Sequence, residues 1–115
     1  MAEQQITIRP GPPMPPADLR VRVTALESES MFESIGRMAS DDLRRTAHAA
    51  GRPFTGSGLS VLDFGCGCGR VLRHFGEEAA RGVRFHGVDV DAEAVAWCAG
   101  NLGGFGPFDL SLIHI

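Results

Sequence analysis

The sequence predicts an α/β fold built on a parallel sheet, and three observations carry that expectation. An apolar run containing Val61, Leu62 and Phe64 leads straight into a glycine-rich loop with Gly65, Gly67 and Gly69. Arg70 then opens a helical pattern in which Val71, Leu72 and Phe75 share one face. A second apolar run from Val83 to Val88 ends in Asp89, and a helical pattern with Ala94, Val95, Trp97 and Cys98 comes after it. Strand, helix, strand and helix in this order, with crossovers of this length, mean parallel pairing through a right-handed connection. The architecture expected is a Rossmann-like parallel sheet with flanking helices.

The chain divides into three stretches. Residues 1–26 read as a proline-rich arm or linker: PGPPMPP removes backbone donors and holds the chain extended. Within it Leu19, Val21 and Val23 alternate with Arg20, Arg22 and Thr24, the pattern of a short strand or of an extended segment lying on the domain. Residues 27–58 turn helical. Met31, Phe32, Ile35 and Met38 recur at helical spacing, Gly36 interrupts them, and Ser40 is placed to cap a second helix over Asp41 and Asp42. Gly51 stops that helix, with Pro53 beyond. Residues 59–115 form a partial cofactor-binding domain. Gly76 weakens the helix after the loop, Gly82 ends it, and Asp91 caps the helix after the second strand.

Composition bounds the function classes. With 115 residues the chain is one domain at most, at 43% hydrophobic residues and a net charge of −3. All 11 basic residues are arginine, scattered among acids, so no basic stripe argues for nucleic acid. No apolar run approaches the roughly 20 residues of a membrane helix, and the N-terminus lacks a signal pattern, which leaves the cytoplasm as the expected compartment. The three cysteines are Cys66, Cys68 and Cys98. Two of them alternate inside a glycine loop, a poor geometry for a disulfide, and zinc sites space paired cysteines more widely. His48, His74, His86 and His114 are isolated, with His86 expected to pack mid-strand and His74 to lie on a helix surface. No metal site is expected.

The glycine loop is where chemistry gathers. Glycine at alternate positions lets a ligand press against bare backbone, and amides opening a helix offer donors. A Gly67→Val change is expected to push a branched side chain into the ligand's space. The spacing is G-x-G-x-G with Asp63 two residues ahead, which differs from the dinucleotide pattern G-x-G-x-x-G. Asp89 ends the next strand, where a carboxylate reaches the same end of the sheet and can accept from a ribose diol.

At these residues, Leu59 to Leu102, the chain resembles the class I S-adenosylmethionine-dependent methyltransferases. PPADLRVRV, Phe32, Gly36 and DDLRR also resemble the leader of a bacterial subgroup of that family. The resemblance implies S-adenosylmethionine as cofactor. It implies a binding set of Asp63, Phe64, Gly65, Cys66, Gly67, Gly69, Asp89 and Val90, with Asp89 on the ribose and Val90 and Asp91 framing the adenine. Phe32 and Ile35 become candidates for a cover over the cofactor, against the simpler expectation that they are core. Trp97 is expected to be core. A methyl acceptor of unidentified class is the implied partner, and no catalytic residue is named, because in the family such groups usually come after the fourth strand.

A third strand is expected from Phe108, where FDL resembles the family's fourth strand and only GGFGP precedes it. A doubly wound domain needs about five strands or more. The closing SLIHI also resembles translated adaptor read-through, so the chain reads as a fragment of a longer methyltransferase whose residues 103–115 are of doubtful origin. Two other classes stay open: an NAD- or nucleotide-sugar-binding enzyme with a variant loop, and a non-catalytic fragment that folds on a partner.

Overall fold

The computed structural model describes residues 11–25, 27–56, 58–103 and 108–113. Three strands, β1 (Ser60–Phe64), β2 (Arg84–Asp89) and β3 (Phe108–Leu112), form an open parallel sheet in the order β1-β2-β3. Helices α1 (Ala17–Thr24), α2 (Glu29–Ala49), α3 (Gly76–Ala80) and α4 (Ala92–Asn101) accompany them, with a 3₁₀ turn at Leu72–His74 before α3. This is the Rossmann-like α/β class read from the sequence. Strand β3 pairs with β2, His86 facing Asp109 and Asp89 facing Leu112. A fourth strand of the doubly wound order would pair with β1 instead, so the expected identity of the FDL strand is corrected: it takes the third-strand position.

Two apolar clusters hold the elements together. Under the sheet, Cys66, Leu72, Phe75, Ala79, Val83 and Phe85 are buried. The Phe75 and Phe85 rings stack at 4.8 Å, and Phe54 meets both edge-on. The second cluster joins four separate parts of the chain through Leu19, Phe32, Cys68 and Ala94, with Trp97 packed against it as expected. Phe32 is therefore core, not a cover over the cofactor.

Several local expectations are overturned, each for a tertiary reason. The alternating stretch 17–24 is helical, because Leu19 and Val23 stand four residues apart and both face the second cluster. The Arg20 guanidinium folds back on the carbonyls of Pro15 and Glu27, which lets an arginine sit buried in that helix. Helix α2 runs unbroken for 21 residues. Ser28, not Ser40, caps it by accepting from the Met31 amide, while the buried Ser40 hydroxyl donates to the Arg37 carbonyl. The buried stripe of α2 is Phe32, Gly36 and Ser40, and Met31 and Met38 are exposed. The proline run is docked: Arg73 donates to the carbonyls of Pro12 and Pro13, both at 3.0 Å.

The sheet is covered on one face. Leu62 and Phe64, expected to be buried, are 61% and 77% exposed, because among the described residues the helices contribute their apolar side chains to the opposite face. His86 shares the bare face and, rather than packing, lies 3.4 Å from Asp109 on β3.

His74, expected on a helix surface, has a side chain only 5% exposed, 3.8 Å from Glu33. Burial is the largest influence on it and lowers its pKa. Arg37, Arg73 and Arg44 lower it further, and Glu33 opposes them. The fold thus favours the neutral ring. Stability from this group is fully present above the unfolded value near 6.5 and is lost as pH falls below it toward the folded value. Urea midpoints should drop between pH 7.5 and 5.5, and the drop should shrink in a His74→Gln protein.

All three cysteines are free and buried. Desolvation by burial pushes the Cys66 thiol up to about 12, and the Cys68 and Cys98 thiols also rise. Since the thiolate is the reactive form, a thiol reagent at pH 8 should label none of them until denaturant is added.

Candidate ligand cavity at the glycine loop

Strand β1 delivers the chain to the loop, and the parallel neighbour β2 brings its own tip alongside, with Asp63 opposite Gly87 and Phe64 opposite Val88. The glycines turn the chain at positive φ: 83° at Gly65, 55° at Gly67 and 83° at Gly69. Each faces something different. A Cβ on Gly65 would meet nothing within 4 Å, so this residue alone of the three offers bare backbone to a ligand. A Cβ on Gly67 would lie 2.4 Å from Val23, and one on Gly69 would lie 2.5 Å from Leu102, just past α4. The Gly67→Val side chain would therefore strike Val23 rather than open ligand space, which corrects the expectation for that change.

Four of the loop amides are spent internally. Those of Gly65 and Cys66 both donate to the Val88 carbonyl, at 2.7 and 3.0 Å, and that of Gly69 donates to the Cys66 carbonyl at 3.0 Å. The Gly67 amide donates to Asp89 Oδ2 at 2.8 Å, and the Asp91 amide to Asp89 Oδ1 at 2.8 Å. Beyond the loop the chain forms a 3₁₀ turn and the five-residue α3, not the regular helix that the pattern from Arg70 predicts. The expected anion-binding helix terminus is therefore missing at this position. The side chains of Leu72 and Phe75 are buried in the cluster under the sheet.

A cavity of about 280 Å³ lies at the strand tips. Asp63, Gly65, Cys66 and Asp89 of the expected binding set line it. Phe64 and Val90 do not: they are 77% and 56% exposed on the outer side of the strand ends. Gly67 and Gly69 lie behind the lining, against Val23 of α1 and Leu102. The sequence reading missed Arg22, Val23, Arg70 and Val71, which complete the wall. Arg70 directly succeeds the last glycine and could have been found from that place. Arg22 and Val23 come from α1 and carry no local signal.

The charges are arranged unevenly. Burial raises the Asp63 pKa, Arg70 opposes that rise and Asp89 adds to it. Arg22 is committed elsewhere, donating to Asp91 Oδ1 and Oδ2 at 3.0 and 2.9 Å and reaching Glu93 at 3.5 Å. That hydrogen bond from Arg22 holds the Asp91 carboxyl below the usual carboxylate range. Asp91 also accepts from the Ala94 amide and so caps α4, as expected from its place. Among the described residues no group of three His, Cys, Asp or Glu side chains could hold a metal ion, and no helix is long and apolar enough to cross a membrane.

Neither a protein-family model nor a curated protein matches the sequence. Among solved structures, the chain is similar to a TehB-like SAM-dependent methyltransferase from Corynebacterium glutamicum, with 20% identity and a TM-score of 0.37. That match covers 70% of this chain and 46% of the other, so the chain spans less than half the length of that structure. The functional reading rests on the cavity itself.

Proposed function

We propose that this chain supplies the cofactor-binding half of an S-adenosylmethionine-dependent methyltransferase, with the acceptor bound by parts of the enzyme outside the described residues. One observation carries the reading. The cavity is walled by two carboxylates, Asp63 and Asp89, against Arg70, the one lining guanidinium without an ion pair among the described residues, while the loop amides at 65, 66, 67 and 69 already have acceptors. A pyrophosphate needs free amides at a helix start. A ligand with a sulfonium, an ammonium and one carboxylate carries a net positive charge, which complements this wall. A cation beside Asp63 would also offset the burial that makes its charge costly. These features favour a sulfonium nucleoside over NAD or a nucleotide sugar.

The residues fit such a group in a definite division of labour. Gly65 leaves open backbone, Asp63 and Arg70 suit the amino-acid end, and the remaining lone pairs of Asp89 suit a sugar diol. When bound, the cofactor supplies an electrophilic methyl group to the acceptor's nucleophile. The chain's own contribution is to hold and orient it, the term that dominates a transfer needing only in-line approach. No residue is proposed as a catalytic base. Calorimetric titration of the full chain with S-adenosylmethionine and, separately, with NAD should give measurable heat for the first only. Tighter binding of NAD would overturn the reading.

A further inference from the structure

A cluster of buried charge lies outside the cavity, beside the turn that brings Arg70 and Val71 into its wall. Its centre is His74, whose side chain is 5% exposed. Nδ1 of the ring lies 3.8 Å from Glu33 on α2, and Nε2 approaches Gly36 of the same helix. A Cβ on Gly36 would collide with both Nε2 and the Arg70 carbonyl oxygen, so ring, helix and turn meet at one point. Among the described residues Nε2 has no hydrogen-bond partner, and neither do Glu33 Oε2 and Arg73 Nε, which face each other at 3.0 Å. Buried polar atoms without hydrogen bonds are rare, and three in one seam call for a reason. The groups around the ring are mostly positive. Arg37 and Arg44 come from α2, Arg73 from the turn itself, and Glu33 is the carboxylate set against them. Arg44 donates to the His74 carbonyl and pairs with Glu78 on α3, so that acid is already engaged. Glu33 is shared with Arg73 and Arg37.

We propose that His74 is a positioning residue for the cofactor cavity: its neutral ring seats the turn against Gly36, and a proton on it drives the ring out of the seam, so that Arg70 and Val71 leave the wall and the ligand is released. The unpartnered atoms make the seat reversible, since opening it breaks packing and no hydrogen bond of theirs. Burial, with Arg37, Arg73 and Arg44, already holds the ring below its ordinary pKa against the pull of Glu33. Neutral His74 is thus the form that binds, and affinity falls as pH drops through the ring's own pKa. One proton changes an apparent affinity by at most about tenfold per pH unit, which bounds the effect. The inference takes its ligand from the cofactor reading, whereas the movement of the turn stands apart from it.

Two measurements on the full chain test it. Calorimetric titration with S-adenosylhomocysteine should show the parent's affinity falling about two- to tenfold from pH 7.5 to 5.0, beyond any fall in His74→Gln. The difference between the two proteins removes the share owed to Asp63 and Asp89, which line the cavity in both. The same pH dependence in both overturns the proposal. In Glu33→Gln the fall should move to lower pH, because Glu33 favours the charged ring. An unmoved fall there overturns the proposal even where His74→Gln does not fold. Without ligand, hydrogen exchange reads the turn through the amides of Arg73, His74 and Phe75, which donate to the carbonyls of Gly69, Val71 and Leu72. Their protection in the parent should fall over this pH range by more than that of β2, and the excess should vanish in His74→Gln. An equal fall in turn and sheet belongs to a histidine that only stabilises the fold, and it overturns the movement. If nothing binds the probe while the exchange result holds, the cofactor reading fails and the pH-linked turn stands.

Discussion

A Gly36→Ala protein is expected to be about 3 kcal/mol less stable than the parent, even though alanine is the better helix former by about 1 kcal/mol. The reason is contact. A Cβ at this position of α2 would sit 2.2 Å from the Arg70 carbonyl oxygen and 2.9 Å from His74 Nε2. The first of these is backbone at the exit of the glycine loop, so no side-chain rotation relieves it. Helix α2 would have to lift off that turn, loosening the Glu33–Arg73 pair at 3.0 Å and the Arg44–Glu78 pair at 3.0 Å that bind the same surfaces. Urea unfolding should show a lower midpoint at an unchanged slope. A midpoint equal to or above the parent's would mean that α2 and the turn are not in this contact.

Gly36 also shows how far local sequence reaches. Within a helical pattern a glycine marks either a break or a close approach, and the sequence favours the break because only the partner surface reveals the approach. The same ambiguity produced the displaced N-cap. Ser40 followed by two aspartates has the chemistry of a cap, yet its hydroxyl serves the Arg37 carbonyl inside one long helix. The parallel sheet was legible, since apolar runs ending in Asp63–Phe64 and Val88–Asp89, separated by a helical stretch, permit little else. The exposure of Leu62 and Phe64 was not, because β-type residues announce a strand without saying which face will be covered.

The cavity divides along similar lines. Asp63, Gly65, Cys66 and Asp89 were readable because strand-to-loop geometry fixes them within a few residues of the strand tips. Phe64 and Val90 neighbour those residues in sequence, but alternation along β1 sends Phe64 to the outer side, and Val90 lies exposed just past the end of β2. Arg22 and Val23 arrive from far upstream in the chain, on a helix whose alternating pattern reads as a strand. The loop's own hydrogen bonding could not be foreseen either. Whether glycine amides face a ligand or a neighbouring carbonyl depends on where the Val88 carbonyl ends up, and β2 sets that.

Asp89→Asn should do more damage at this site than the loss of one charge suggests. Each oxygen of the Asp89 carboxylate accepts one amide, Gly67 on one side and Asp91 on the other, so a single side chain ties the glycine loop to the start of α4. Asparagine keeps one acceptor and turns an amino group toward the other amide, setting donor against donor. A half-buried amide stripped of its acceptor costs about 1–3 kcal/mol, and the urea midpoint should fall accordingly. Binding of S-adenosylmethionine should weaken about 10- to 100-fold, the equivalent of a charged hydrogen bond of about 1.5–3 kcal/mol. Asp63→Asn separates the two effects, because among the described residues no loop amide donates to Asp63. It should weaken binding while leaving the midpoint nearly unmoved. If Asp89→Asn lowered stability yet kept full affinity, the carboxylate would be a clasp for the loop and the ribose would have to be held elsewhere.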